Sequence, residues 1–409
     1  MFTKEKIILL LLAALNFTHI LDFMIMMPLG NYLMPYFDIS SKQFSMLVAA
    51  YTFSAGISGF FAAFFVDKYD RKKVLLYAFA GFLIGTFCCA ISPSYIILLV
   101  SRIVAGIFGG LIGAQVLSIV ADLVPYERRG TAMGIIMAAF AVASVFGVPF
   151  SLYLANIFNW HGPFFFVAGF GVLLIPFLIR YLPKMDTHIQ SDTSKKVDPI
   201  TLLKDIGRDK NQVLALALSA SIMLGHFLII PFLNPFMEFN KGFSKLQTPM
   251  VYMVGGALTL VTSPLMGRIA DKIGKHRLFI IMALVAIIPI AVITNLPDIP
   301  FYLVLCVTGF WFVVSSGRMI PAQAMVSNVV SAERRGSFMS INSSVQQIFV
   351  GIASILAGLI VVKTPSNAIL HYEVTGYIGI AVTLLSVLFV TKLHTRLKRV
   401  DVKSNPNTN

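Results

Sequence analysis

The pattern of hydrophobic and polar positions divides the chain into long apolar runs separated by short polar segments. About twelve of these runs reach the roughly 20 residues that an α-helix needs to cross a bilayer. They lie near 7–35, 43–66, 74–91, 95–122, 131–157, 162–182, 211–237, 248–270, 278–296, 300–327, 336–362 and 371–392. The pattern therefore predicts an all-α integral membrane protein with about twelve transmembrane helices.

The polar segments carry their positive charge on one side of the membrane. Of the 32 Lys and Arg residues, nearly all lie in the even-numbered loops and the two tails, and the odd-numbered loops hold only Lys42, Lys241, Lys245 and Lys363. This asymmetry follows the positive-inside rule and predicts that both termini are cytoplasmic, which requires an even number of spans. The net charge of +14 is then a consequence of topology, and nucleic acid is not expected as a partner.

The amino-acid composition also indicates that the chain lies in a membrane. Hydrophobic residues make up 57% and charged residues 12%, whereas soluble domains carry about 25% charged residues. Cys88, Cys89 and Cys306 all lie within apolar runs, so they are interpreted as small apolar residues without a disulfide or a metal site. We expect a lipid bilayer around the chain, that of a bacterial cytoplasmic (inner) membrane, and no cofactor.

An internal repeat divides the spans into two sets of six. The segment DKYDRKK at 67–73 reappears as DKIGKHR at 271–277, and ERRG at 127–130 reappears at 333–336. The longest polar stretch lies between the two sets and includes a predicted short surface helix at 198–208. The predicted organisation is an N-terminal six-helix bundle at 1–182, a cytoplasmic linker at 183–210, a C-terminal six-helix bundle at 211–392 and a cytoplasmic tail at 393–409.

The repeated segment resembles the signature of the major facilitator superfamily between spans 2 and 3, Gly-x-x-x-Asp-Arg-x-Gly-Arg-Lys. The second copy, GRIADKIGKHR at 267–277, fits this signature well, whereas the first copy has Ala63 and Asp70 at the two glycine places. The resemblance implies two pseudo-symmetric bundles in the major facilitator fold, a monomer, and a substrate site between the bundles near the membrane midplane. It also implies that a carboxylate at the end of span 2 pairs across the interface and biases a gate. The candidate gating residues of this signature are Asp67, Arg71, Asp271, Gly267 and Gly274, although positive-inside charge also explains Arg71.

One carboxylate lies deep within an apolar run. Asp22 falls about 15 residues into the first predicted span, near its middle, whereas nearly all other acidic residues fall in loops or at span ends. His19 lies one turn before Asp22, and Asn16 lies one turn before His19, so the three polar side chains share one helix face. Because an ionisable group at this depth is unfavourable and usually functional, we interpret Asp22 as a proton-binding group. The alternative interpretation is a polar contact that packs helices together.

Two further residues join Asp22 and His19 as candidates for proton coupling. His226 takes the place of Asp22 when the two repeats are superposed, and each residue precedes a Phe, a short apolar stretch and a Pro. Spans 1 and 7 face one another in the superfamily, so Asp22 and His226 are expected to face each other or the same ligand. Arg102 resembles the arginine of the superfamily's span 4 signature, which implies a role in proton transfer, with a structural anchor as the alternative.

Arg318 is a second basic residue within a predicted span, and at that depth it needs a partner or water. It is expected either to bind an anionic group of the substrate or to pair with a carboxylate. The candidate substrate-binding residues are Asn16, Asp22, His226, Asn234 and Arg318.

The segment Gly147-Val148-Pro149 resembles the span 5 signature of antiporters in the superfamily, and Gly147 and Pro149 are therefore added to the gating candidates. The overall resemblance is to the drug:proton antiporter and sugar-efflux branch. It implies a secondary transporter that exports a small organic or drug-like solute in exchange for protons. Two alternatives remain open: a proton symporter that imports a small organic anion, and a membrane sensor or enzyme. No nucleotide loop or nucleophile–base motif in the sequence favours the latter.

Overall fold

The computed structural model describes residues 3–65, 69–124, 132, 135–136, 138–185, 199–330 and 335–404. Almost all of these residues are helical. The first half of the chain forms α1 (Thr3–Ile25), α2 (Gly30–Tyr36), α3 (Ser41–Phe65), α4 (Arg71–Ala90), α5 (Tyr95–Leu123), a π-helical segment (Ala143–Gly147), α6 (Val148–Phe158) and α7 (His161–Tyr181).

The second half begins with a short helix in the linker and ends with a long helix after a small hairpin. Its elements are α8 (Pro199–Arg208), α9 (Lys210–Phe227), α10 (Ile230–Phe239), α11 (Thr248–Ile273), α12 (Lys275–Val285), α13 (Ile287–Thr294), α14 (Phe301–Ser327), α15 (Arg335–Ile360), β1 (Val362–Lys363), β2 (Ile369–Leu370) and α16 (Tyr372–Ser404). The two strands pair antiparallel, with Val362 opposite Leu370.

Twelve helical stretches of the described residues are long and apolar enough to cross a membrane, with mean hydropathies between 1.4 and 2.6. They follow the apolar runs of the sequence in order, so the predicted all-α class with about twelve transmembrane helices is confirmed.

Three of the predicted spans are not single helices. The chain leaves α1 at Ile25, passes through a turn that contains Pro28 and becomes helical again at Gly30. The break between α9 and α10 lies just before Pro231, and the break between α12 and α13 lies just before Pro289. Proline cannot donate the helical hydrogen bond, and its ring clashes with the carbonyl group four residues earlier. The apolar runs at 7–35, 211–237 and 278–296 therefore each contain two helices.

The two halves of the chain meet along three sets of helices. In these contacts α2 packs against α10, α3 packs against α15, and both the π-helical segment and α6 pack against α11. We call the end of the molecule near Thr3 and Ser404 the termini side, and the end near the β-hairpin at 362–370 the far side.

Towards the far side, the hydrophobic core of the described residues is continuous between the halves. There, one cluster of buried side chains includes residues of both halves, such as Leu33 and Phe44 with Phe232 and Leu233. Towards the termini side, the buried residues form two clusters, one from the first half around Phe79 and one from the second half around Phe338. The structure is therefore closed on the far side. On the termini side the buried clusters of the described residues belong to different halves, although Phe60 of α3 packs against the second-half cluster.

Candidate functional site

A buried ion pair lies between α1 and α5. Arg102 donates a hydrogen bond through Nη1 to Oδ2 of Asp22 at 2.7 Å, and both side chains are fully buried. The second carboxylate oxygen, Oδ1, accepts a hydrogen bond from Thr86 of α4 at 3.2 Å. The two charges thus compensate each other inside the first bundle, where a low dielectric constant makes their attraction strong.

Arg102 depends heavily on Asp22 for its stabilisation. Its guanidinium carbon lies 4.3 Å from the centre of the Tyr51 ring, which adds a cation–π contact. Its Nε and Nη2 atoms are buried without a hydrogen-bond partner in the described part of the chain. Gly106 lets α5 approach α3 closely, because a Cβ atom there would overlap the carbonyl oxygen of Tyr51. A proton on Asp22 would therefore leave this enclosed arginine with only neutral partners, such as the Tyr51 ring and the Cys89 thiol.

The polar face of α1 points into the first bundle. The His19 ring packs against Phe82 of α4 and Tyr51 of α3, with ring centres 5.7 Å and 6.4 Å away, and its Nδ1 atom has no hydrogen-bond partner. Asn16 donates a hydrogen bond to the carbonyl oxygen of Ile136 at 3.3 Å. The predicted stripe of Asn16, His19 and Asp22 thus contacts the helices of its own half.

A second polar site lies in the second bundle around Arg318 of α14. Arg318 is 3% exposed and donates a hydrogen bond through Nη1 to Thr383 of α16 at 3.0 Å. Among the described residues no carboxylate pairs with it, so of the two expected outcomes the pairing with an acid does not occur. His226 of α9 interacts electrostatically with Arg318 and stacks on the Trp311 ring, with centres 4.9 Å apart.

A row of aromatic rings joins these two sites across the halves. Tyr51, beneath Arg102, stacks with Phe23 at 5.9 Å between ring centres, and Phe23 meets Phe227 of the other half at 6.0 Å. Phe227 in turn lies 5.4 Å from His226, which reaches Trp311. No hydrogen bond or ion pair joins Asp22 to His226 in the described structure. Instead, the phenylalanines that follow them are in contact, and the alternative that Asp22 and His226 face the same ligand stays a prediction.

Comparison with known proteins identifies the family. The model of the Major Facilitator Superfamily matches residues 12–317 and 260–408. The chain belongs to the major facilitator superfamily. It is similar over most of its length to the uncharacterized MFS-type transporter YceJ of Bacillus subtilis (strain 168), with 24% identity over 375 residues that cover 90% of this chain and 92% of that protein. A probable sugar efflux transporter of Helicobacter pylori (strain J99) is 24% identical over 377 residues, which cover 89% of each chain.

Solved structures of transporters share the fold. A bacterial homolog of the human lysosomal transporter Spinster, in an inward-facing and occupied conformation, superposes with a TM-score of 0.77 at 14% identity and covers 97% of this chain and 98% of its own. The D-xylose-proton symporter gives a TM-score of 0.75 at 18% identity, with 95% and 97% coverage. As a member of the superfamily, the chain is a secondary transporter that works by alternating access, and it is not an enzyme.

Of the two copies of the superfamily signature between spans 2 and 3, the structure describes the second copy, at 267–277, more completely than the first. Gly274 separates α11 from α12 with φ = 93°, a backbone angle that favours glycine. Asp271 is exposed, and the space around Gly267 is open. In the first copy, Arg71 pairs with Asp122 of α5, with 3.1 Å between Nη1 and Oδ2, so this contact stays within the first half. Asp67 lies outside the described residues.

The span 5 signature lies where the halves meet. The segment Ala143–Gly147 is π-helical, a form that is frequent at functional sites, and Pro149 follows it at the start of α6. A Cβ atom on Gly147 would lie 2.8 Å from Leu21 of α1, and one on Gly256 of α11 would lie 2.8 Å from Ser144. Glycine thus permits close packing of this segment against both α1 and the other half of the transporter.

A polar cluster closes the far side between α2 and α10. Glu238 accepts hydrogen bonds from Asn31 of the first half and from Thr248 at 2.7 Å. Asn234 donates to the carbonyl oxygen of Pro28 at 2.9 Å, which also crosses between the halves. Asn234, predicted to bind substrate, therefore takes part in this closure. Sequence reasoning did not assign a role to Glu238, although it is the acid at the outer end of the seventh apolar run.

Within the described residues, no group of three or more His, Cys, Asp or Glu side chains could hold a metal ion. The chemistry of the transporter's interior therefore lies in the ion pair of Asp22 with Arg102, in the Arg318 region, and in the far-side cluster.

Proposed function

We propose that this superfamily member is a proton-coupled transporter that exports a small organic solute, with Asp22 as the proton-binding group. The single observation that carries the proposal is the fully buried pair of Asp22 and Arg102, which joins two transmembrane helices through one carboxylate. Protonation of that carboxylate removes the charge that Arg102 needs. Coupling to a conformational change then requires that Asp22 binds the proton with different affinity in the two conformations, as it does if the pair with Arg102 is closer in one of them.

The consequences of protonation extend along α1. Asp22 lies one turn before the end of α1 at Ile25, and the turn at 26–29 connects α1 to α2 in the far-side closure. Release of Arg102 from Asp22 frees α1 to move relative to α5, and movement of α1 displaces α2. A proton at the centre of the first bundle can thereby bias the far-side contacts between Asn31 and Glu238.

The direction of transport is proposed from the comparison with known proteins. With the termini in the cytoplasm, the far-side closure corresponds to an inward-facing protein. Both an exporter that is ready to accept solute and an importer that has just released it have this form, so the form alone does not decide the direction. The similar Helicobacter pylori protein is named a probable sugar efflux transporter, which agrees with export.

A second candidate function is proton-coupled import of a small organic anion. The observation that favours it is Arg318, a buried cation without a carboxylate partner among the described residues. If the solute is anionic, a proton on Asp22 and the solute would bind together more readily than either alone, because the proton leaves Arg102 uncompensated.

Purified protein in liposomes that contain a pH-sensitive dye tests both candidates. External addition of a transported solute makes the lumen alkaline if solute enters in exchange for protons, and acidic if the two enter together. We expect alkalinisation with at least one member of a panel of sugars, organic carboxylates and organic amines, relative to protein-free liposomes. Solute uptake without any change of luminal pH would contradict proton coupling.

A further inference from the structure

Arg318 is stabilised far less completely than the other intramembrane arginine. Arg102 has a carboxylate at 2.7 Å and an aromatic ring beneath it, whereas the hydrogen bond described for Arg318 is to the neutral hydroxyl of Thr383. Its Nε atom is buried without a partner in the described structure. A guanidinium enclosed in this way is unfavourable unless an anion compensates it.

Other unsatisfied donors lie on the same side of α14. Trp311, Ser315 and Arg318 are spaced by four and three residues, so they share one helix face. The Trp311 Nε1 and Ser315 Oγ atoms are buried without hydrogen-bond partners among the described residues, as is Nδ1 of His226, whose ring stacks on Trp311. Long side chains on a helix lean towards its N-terminus, so Arg318 extends from its backbone in the direction of Ser315 and Trp311.

The region is placed to receive a ligand. His226 is only half-buried, and its neighbour Phe227 meets Phe23 of the other half. The cores of the two halves are separate on the termini side of this contact. A solute that reaches the exposed part of His226 is then close to the buried Arg318, with which His226 interacts electrostatically.

We infer that Arg318, with His226, Trp311 and Ser315, forms a subsite for an anionic group of the transported solute, with a carboxylate as the best fit. The planar guanidinium matches a carboxylate in two parallel hydrogen bonds, and the indole N–H and the serine hydroxyl add neutral donors. A cationic group at this place would be repelled by Arg318, and none of the described acids pairs with Arg318 to offset that repulsion. This inference rests on the proposed transport function, because it names the solute class, and it holds for either direction of transport.

Tryptophan fluorescence tests the subsite without any transport. The chain has two Trp residues, so a Trp160→Phe background leaves Trp311 as the reporter. Iodide, an anion that quenches indole, is titrated into the purified protein, and neutral acrylamide is titrated in parallel. We expect saturable quenching by iodide, with apparent affinity reduced at least about tenfold in Arg318→Gln, since a charge-assisted interaction contributes this much or more. Arg396→Gln, which removes an exposed arginine from α16, should retain the full effect.

A second variant and a competition experiment complete the test. Arg318→Met preserves the volume of the side-chain stem, and unchanged acrylamide quenching identifies variants whose fold is intact. In the protein with Arg318 present, acetate should relieve the iodide quenching, whereas acetamide, which has nearly the same shape, should not. Equal iodide quenching with and without Arg318, or equal effects of acetate and acetamide, would overturn the inference. Neither result depends on proton movement, so failure of the subsite and failure of proton coupling are separate outcomes.

Discussion

Arg102 and Arg318 are both buried cations, but different groups stabilise their charges. Arg102 is held by Asp22 and by the Tyr51 ring, whereas Arg318 has a hydrogen bond to Thr383 and no acidic partner among the described residues. An uncompensated charge is unfavourable in an apolar interior. In the proposed transport cycle, the first arginine therefore responds to a proton on its partner, and the second responds to an anion that arrives from outside the bundle.

Removal of Arg102 should destabilise the protein through the carboxylate that it leaves behind. We expect Arg102→Gln to lower the free energy of unfolding by about 3 kcal/mol, the order found when one partner of a buried pair is removed. Thermal unfolding of the purified protein in detergent measures this loss.

The double variant Asp22→Asn/Arg102→Gln is the matched control for this prediction. It removes both charges, so most of the lost stability should return. A double variant that is less stable than Arg102→Gln alone would show that the pair matters through packing rather than through charge.

The polar residues of the interior could be predicted individually, but their partners could not. Asp22, Arg102 and Arg318 stand out in the sequence because ionisable side chains are rare in apolar runs. Asp22 and Arg102 lie 80 positions apart, and their contact depends on how α1 and α5 are rotated in the bundle. Tyr51, Trp311 and Thr383 give no signal in the sequence, since such residues are common on helices that pack together.

At the scale of elements, hydropathy predicts where helices cross the membrane but not where they are interrupted. The apolar run at 7–35 continues through Pro28, and the run at 211–237 continues through Pro231. Proline in a transmembrane helix is tolerated where neighbouring groups satisfy the freed backbone atoms. Here the interruption produces α2 and α10, two short helices that carry the far-side closure.

This closure should weaken when Glu238 loses its charge. The carboxylate accepts from Asn31 and Thr248, so Glu238→Gln would place an amide N–H₂ group against one of these donors. We expect the far side to open more often in this variant. Spin labels at Ser40→Cys and Lys241→Cys, on opposite halves of the far side, would report a longer distance.

Glu373→Gln is the matched control for that measurement. Glu373 is a far-side acid whose ion pair, among the described residues, is with the nearby His371 of its own half. An unchanged distance distribution in Glu238→Gln, or the same change in Glu373→Gln, would show that the carboxylate of Glu238 does not hold the halves together.

At the scale of the whole molecule, the repeat in the sequence predicts two bundles but not their arrangement. The shared core around Phe44 and Phe232, and the separate cores around Phe79 and Phe338, define a transporter closed on one side. The alternative conformation uses the same helices, and the two differ by small free energies that no local pattern in the sequence reports. The row of rings from Tyr51 through Phe23 and Phe227 to His226 spans this interface. A change of conformation would therefore alter the contact between the proposed proton site and the proposed Arg318 subsite.

Proton movement by the Asp22→Asn variant in liposomes tests directly whether Asp22 is the proton-binding group. Asn keeps the shape of the side chain but cannot bind or release a proton, so solute should still exchange between the lumen and the medium while solute-dependent pH change disappears. Asp298→Asn is the control, because Asp298 is an exposed loop carboxylate whose pKa is lowered by a hydrogen bond from Lys241, and its loss should leave coupling intact. Solute-dependent pH change in Asp22→Asn equal to that of the wild type would contradict the assignment of Asp22 as the proton-binding group.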